Sequence, residues 1–335
     1  METSIWRPIL FLVGIMAFAG VNAAWLGWCE RKGAGRIQRR IGPKEVGPYG
    51  LWQPLADGIK LMTKQLLVPK CVDQILYRVA PVLMMIPAIT SMVAIPFSEG
   101  LQARAIELSV LLIFALASIG MMAILLGGWA SNNKYSLISA ARSVSQNIAY
   151  EIPMLITVIT IVMVSGSMNL EEIAKDQVGG FWHWNIFRIE NGTFLYMWIS
   201  FLIFFICSVA ETNRAPFDMA EAESELVAGH MTEYSSMGFG LFMMGEYLNI
   251  VVGACLTTVL FLGGWDALIP FPPFTWIPGV VWFLVKIYLL IATFIWIRWT
   301  YPRTQIYKLL NLSWKVLIPF SLVNLLVTAV FLKVF

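Results

Sequence analysis

Eight long apolar runs, separated by polar segments, organise this chain. They cover roughly residues 8–29, 76–97, 107–130, 152–168, 194–210, 236–262, 278–297 and 314–334. A helix crosses the hydrocarbon layer with about 20 mainly apolar residues, whereas a barrel strand needs only about 9–11. Backbone groups find no water in lipid, so only helices and closed barrels can span it. Runs of this length predict an all-α polytopic membrane protein, a bundle of about eight transmembrane helices in a single membrane domain over 1–335. The first run is longer than the roughly 7–15 apolar residues of a signal-peptide core. It ends in Trp28-Cys29-Glu30-Arg31 with no small-residue cleavage site, and is expected to be retained.

Two connecting segments carry patterns of their own. In 50–67 the apolar residues Leu51, Leu55, Ile59, Leu61, Met62 and Leu66 recur near helical spacing, opposite Asp57, Lys60 and Lys64. This predicts an amphipathic helix lying at the interface or under a partner. It sits within a basic loop, 30–75. The loop 211–235 is acidic instead, with Glu211, Asp218, Glu221, Glu223, Glu225 and Glu233 against one Arg214. A second cytoplasmic helix is expected there.

Composition supports the membrane assignment. Hydrophobic residues make up 59% of the 335 and charged residues 13%, against about 25% charged in soluble domains. Net charge is only +3, which excludes a nucleic-acid electrostatic footprint. The distribution of Lys and Arg says more. Seventeen of the 23 fall in the first, third, fifth and seventh loops or at their edges, five fall on the other side, and Lys286 lies within a span. The positive-inside rule then puts the basic loop in the cytoplasm and both termini outside.

Redox chemistry is not visible in the chain. Cys29, Cys71, Cys207 and Cys255 are scattered, with no C-x-x-C pair, and suggest neither a zinc site nor a disulfide framework. Gly33-Ala34-Gly35 begins like a dinucleotide fingerprint, but Arg39 stands where its last small residue belongs and no strand precedes it. His183 and His230 fall on opposite sides of the membrane and are not expected to share a metal. Any redox centre must therefore lie in another chain.

Acids in or near a membrane are expensive and mark function. Asp218 can cap a helix starting after Pro216-Phe217, with Glu221 completing a capping-box pattern. That local role does not extend to Glu211, and Glu221 and Glu225, one turn apart, would repel. A proton relay is the competing reading. Glu151, at the mouth of the fourth span with Pro153 in the helix's first turn, would link loop to membrane. Glu246 and Lys286 lie inside antiparallel spans near mid-membrane. They are expected to pair, either as a fixed buried ion pair or as a step in an ion path.

Three stretches, ERKGAGRIQRRIGPKEVGPYGLWQPLADGIKLMTK (30–64), GWASNNKYSLISAARSVSQNIAYEIP (128–153) and AETNRAPFDMAEAESELVAGHMTEYSSM (210–237), with GEYLNI (245–250), together cover the polar parts of the chain in order. They resemble the H-subunit family of bacterial NADH:quinone oxidoreductase, respiratory complex I, the counterpart of mitochondrial subunit one. The resemblance implies a subunit that joins the redox arm to the membrane arm and forms much of the quinone tunnel. It carries over Glu30, Arg31, Arg40, Asp57, Lys60, Arg214 and Arg298 as the tunnel and arm-junction group. It carries over Glu151, Glu211, Glu221, Glu223, Glu225 and Glu246 as the acidic path toward antiporter-like subunits. No cofactor belongs to this chain; quinone is the substrate, while FMN and the iron–sulfur clusters lie in partner subunits. The implied partners are the soluble quinone-site and terminal-cluster subunits, small membrane subunits and the antiporter-like subunits. A homologous subunit of a hydrogenase- or ferredoxin-linked complex is the nearest alternative. A stand-alone transporter lacks support, since no inverted repeat is evident. The chain departs from the family pattern at Lys44, Gln65, His230, which could add a titratable group beside Glu233, and 305–308.

Overall fold

Long apolar segments form helices here because every backbone N–H must find a carbonyl within its own segment. The computed structural model describes residues 6–188, 194–220, 223–272 and 274–334, with backbone alone for 6–8, 194–195, 223–224 and 275. Its helices in chain order are α1 Trp6–Ile37, α2 Gln53–Thr63, α3 Gln74–Ala94, α4 Ser109–Ala130, α5 Lys134–Ser165 and α6 Leu170–Lys175, followed by α7 Phe194–Glu211, α8 Glu223–Leu226, α9 Ser236–Phe261, α10 Gly279–Thr300, α11 Ile306–Leu312 and α12 Ile318–Val334. A π-helical turn at Ser313–Leu317 joins the last two into one run. Seven helices or runs among the described residues are long and apolar enough to cross a membrane, and α7 is a shorter apolar eighth. No strand is formed among the described residues.

The most enclosed helix is α9. It packs against α1, α2, α3, α7 and α10 and buries nearly all of its second half, from Ile250 to Phe261. Small residues permit that closeness. A Cβ on Gly245 would stand 2.6 Å from Met84, and one on Gly253 would stand 2.5 Å from Ser208 Oγ.

The amphipathic helix of the first loop is α2. None of its residues is buried, and Leu55, Ile59 and Met62 are all more than half exposed. Its C-terminal end is fastened by Ser236, whose hydroxyl is shared between the carbonyls of Leu61 at 2.9 Å and Lys64 at 2.8 Å, and Asp57 ties its middle to Arg31 of α1. In the fifth loop the helix amounts to the single turn α8. Asp218 does not cap a helix, since residues 218–220 are irregular. Its carboxylate instead meets Arg303 at 3.0 Å.

The fourth span differs from the expectation. It begins at Lys134, not near 152, so Pro153 lies in mid-helix and Glu151 inside the span. Hydropathy hides this because the stretch 134–147 is polar yet helical. Asn133 opens α5 by accepting from the Tyr135 N–H at 2.9 Å, and Gly166, at φ 72°, closes it in the left-handed conformation. Thirty-two residues at 1.5 Å each make about 48 Å, well beyond the roughly 30 Å hydrocarbon core. The N-terminal third of α5 therefore projects out of the membrane. Glu151 lies about 21 Å from the other end of the helix.

A mid-helix proline leaves the carbonyl four residues earlier without its N–H. For Pro153 that carbonyl belongs to Ala149, and it accepts the Ser313 hydroxyl from the π turn. The substitution Ser313→Ala should therefore cost about 1–3 kcal/mol, the penalty of a buried unpaired carbonyl. The same change made on top of Pro153→Ala, which restores the N–H, should cost much less. Thermal melts of the purified complex carrying the single and double variants check this; equal losses in both backgrounds would refute the assignment.

Candidate functional site

Where α7 ends, the chain turns inward. Gln146 of α5 holds both ends of that turn, donating to the carbonyls of Ala210 at 2.9 Å and Phe217 at 2.8 Å. The turn delivers two consecutive polar residues, Asn213 and Arg214, both buried. They face different cavities.

Arg214 faces the first. Its guanidinium lies 3.0 Å from a Glu246 carboxylate oxygen and 4.8 Å from the centre of the Tyr247 ring. Both charged side chains are over nine-tenths buried. The Tyr247 hydroxyl donates to Glu30 Oε2 at 2.7 Å, and Glu30 also pairs with Arg298. Four helical segments thus contribute to one charged chamber: α1 through Glu30, the end of α7 through Arg214, α9 through Tyr247 and through Glu246, which stands behind Arg214 and not on the cavity wall, and α10 through Arg298. Its two cations balance its two carboxylates. The enclosed space is only about 20 Å³, room for a single water.

Asn213 faces the second cavity, with Asn147, Glu151, Glu211 and Asn249. Glu151 accepts from Ser118 Oγ of α4 at 2.8 Å. About 50 Å³ is enclosed, space for a few waters among polar partners. Asn249 follows Glu246, the partner of Arg214, by three residues on α9, so one helix face runs from the charged pair to the second cavity. The arrangement can do two things: hold a balanced set of buried charges, and present carboxylates to waters inside a membrane bundle.

The model of the NADH dehydrogenase family matches residues 10–329. The chain belongs to the NADH dehydrogenase family. It is 66% identical over 321 residues to a Desulfotalea psychrophila protein, the H subunit of an NADH-quinone oxidoreductase, covering 96% of this chain and 95% of that one. The H subunits of the NADH-quinone oxidoreductases from Ralstonia nicotianae and Carboxydothermus hydrogenoformans are 42% and 41% identical. Those alignments cover 98% and 97% of this chain, and 92% and 89% of theirs.

Of the residues that the family resemblance singles out, the structure unites Glu30, Arg214 and Arg298 at the first cavity, with Glu246 paired to Arg214 behind it, and Glu151 and Glu211 in the second. Arg31 and Asp57 pair with each other and tie α1 to α2, with Gln53 donating to Asp57 at 3.1 Å. Lys60 is exposed on α2. Arg40 bonds Gln38 at the surface and joins neither cavity. Glu225 pairs with Arg142 at 2.6 Å and is mostly exposed. Glu221 and the side chain of Glu223 lie outside the described residues. Tyr247, Asn213, Asn249, Asn147 and Ser118 escape the sequence reading. Only one signal could have found them, a polar residue inside or beside a span.

The expected Glu246–Lys286 pair does not form. Glu246 is engaged by Arg214, and Lys286 lies near the other end of α9. Its ammonium donates to the carbonyls of Leu262 at 2.6 Å, Gly264 at 3.0 Å and Asp266 at 2.7 Å, and rests 4.1 Å from the centre of the Trp184 ring. Sixteen residues, about 24 Å, separate Glu246 from Leu262 along the helix. Counting from span ends places both charges at one depth, and that count fails. Lys286 instead neutralises the carbonyl end of α9, where a cation suits the helix dipole.

His230 does not act beside Glu233. Glu233 accepts from Asn133 Nδ2 at 2.7 Å, while His230 is buried against the Phe242 ring with neither nitrogen hydrogen-bonded. Burial holds its imidazole down at about 4, so it is neutral near pH 7.

These charges make two tests available. Glu246→Gln should cost about 3–5 kcal/mol by stranding buried Arg214, and the double change Glu246→Gln with Arg214→Gln should recover most of it; a melt showing additive losses would contradict the pairing. Between pH 6.5 and 4 the unfolded chain takes up a proton at residue 230 that the folded site refuses, so stability falls as pH drops through that window. His230→Phe should lessen that fall, which melting temperatures at pH 7.5 and pH 5 would show as a smaller gap than in the parent.

Proposed function

We propose that this chain is the junction subunit of a bacterial proton-translocating NADH:quinone oxidoreductase. In this reading it lies in the cell inner membrane with both termini periplasmic. The Glu30–Arg298–Tyr247–Arg214–Glu246 chamber walls the quinone tunnel, and the Glu151–Glu211 cavity begins the proton path. The observation that carries the proposal is the buried Arg214–Glu246 pair, whose neighbour Asn213 lines the acidic cavity. The near full-length match to the H subunit of the Desulfotalea psychrophila enzyme supports the placement.

The chemistry follows from charge balance. Reducing a quinone by two electrons creates negative charge before protons arrive. The electrons come from an iron–sulfur cluster in a soluble partner, upstream of which lies FMN. The chamber holds no room for a quinone ring, so the ring binds on the face that the soluble partner covers, near Arg31, Asp57 and Lys60. Negative charge there attracts Arg214, and a Glu246 deprived of its counter-ion takes up a proton from the neighbouring cavity. Glu211 and Glu151 are the acids placed to resupply it, and the antiporter-like subunits lie further along the path. The exposed apolar face of α2 would be covered by lipid or by the redox arm.

The test uses membranes in which assembly of the complex is verified first. Glu211→Gln should lower quinone reductase activity and proton pumping severalfold while assembly persists. Unchanged rates would remove Glu211 from the path. Arg31→Ala should raise the apparent quinone KM with a smaller effect on kcat, and normal kinetics would remove Arg31 from the tunnel.

A further inference from the structure

The bundle carries a large apolar groove away from both polar cavities. It lies between α7 and α10, encloses about 1030 Å³, and is walled by Phe201, Phe205, Leu289, Leu290 and Trp296. Its depth is limited. On α10 it runs from Leu289 to Thr300, about 16 Å at 1.5 Å per residue, which is the thickness of one leaflet's hydrocarbon, about half of 30 Å. Its deep end is closed by Leu262, whose carbonyl Lys286 ties to α10. A transmembrane helix from a partner would need the full hydrocarbon thickness. One lipid leaflet fits the depth.

The mouth of the groove has the marks of the headgroup layer. Tyr301, Pro302 and Thr304 line it there, and Trp296, Tyr301, Tyr307 and Trp314 are all more than half exposed around it, as aromatic side chains are at membrane interfaces. Among the described residues its cations outnumber its one acid, Asp218. No acid follows Asp266 in the chain, yet Arg303, Lys308 and Lys315 cluster within thirteen residues at this end. Arg303 is engaged by Asp218. Lys308 is exposed, one helical turn before the groove-lining Leu312.

We infer that this groove is a binding site for one acidic phospholipid of the adjoining leaflet. Its acyl chains lie along Phe201, Phe205 and Leu289, and its phosphate is held at the Tyr301–Lys308 rim with Lys308 as the main cation. Such a lipid seals α10, which carries Arg298, against α7, which leads into Arg214.

The assembled complex is reconstituted with phosphatidylglycerol or phosphatidylethanolamine bearing a photoactivatable diazirine in one acyl chain, irradiated, and mapped by peptide mass spectrometry. Phosphatidylglycerol should label residues 289–304 severalfold more than phosphatidylethanolamine does. Lys308→Glu should abolish the preference, and Leu289→Trp, which fills the groove, should abolish the label with either lipid. Lys308→Gln replaces Lys308→Glu should the reversal block assembly, and should weaken the preference. Equal labelling by the two lipids, or capture of another membrane subunit by a photo-cross-linking side chain placed at position 296, overturns the proposal.

Discussion

A guanidinium and a carboxylate stripped of water tolerate little displacement. Alone, either Arg214 or Glu246 would carry a desolvation cost of several kcal/mol in a bundle of low dielectric, and together they are held 3.0 Å apart. The pair fixes how the end of α7 meets α9. Tyr247 packs over the same guanidinium and passes a hydrogen bond to Glu30, which in turn holds Arg298. Four segments of the bundle are therefore registered against one another by a set of charges that sums to zero. A site so balanced is stable at rest and responds to any further charge brought against it.

The scaffold behind that set is α5. Its polar N-terminal third stands outside the membrane yet remains helical, because Gln146 and Ser143 spend their side chains on the turn 210–217 and not on their own backbone. Lower down, Pro153 removes one helical hydrogen bond and Ser313 replaces it. The same helix then carries Glu151 into the hydrocarbon zone. A strand of polar contacts thus continues from the membrane surface to the acid cavity along a single helix.

Much of this was legible in the chain. Apolar run length gave the helical bundle and the approximate limits of most spans, since lipid imposes that length. The periodicity of residues 50–67 gave α2. The start of α5 was not legible, because hydropathy marks apolar runs and Lys134–Asn147 is helical yet largely polar. The pairing of charges was not legible either. Glu246 and Lys286 look like partners by depth, but helices project beyond the membrane by unequal amounts, and Arg214 reaches Glu246 from a turn that periodicity does not describe. The resemblance named most of the charged residues of the two cavities, yet their neutral members, Tyr247, Asn213, Asn249 and Ser118, carry no charge to draw attention.

The fastening of α2 has a consequence in time. The carbonyls of Leu61 and Lys64 wait for the hydroxyl of Ser236, 175 and 172 residues later. A ribosome adding about 5–20 residues per second reaches Ser236 on the order of ten to thirty seconds after α2 has been made. During that interval four spans, α3, α4, α5 and α7, are made while α2 is held to its own chain only through the Arg31–Asp57 tie to α1, and its apolar face lies against whatever is nearest. The first amphipathic helix to be made is thus among the last to be fully pinned, and each nascent chain passes through a period in which α1 is the only other part of it that holds α2.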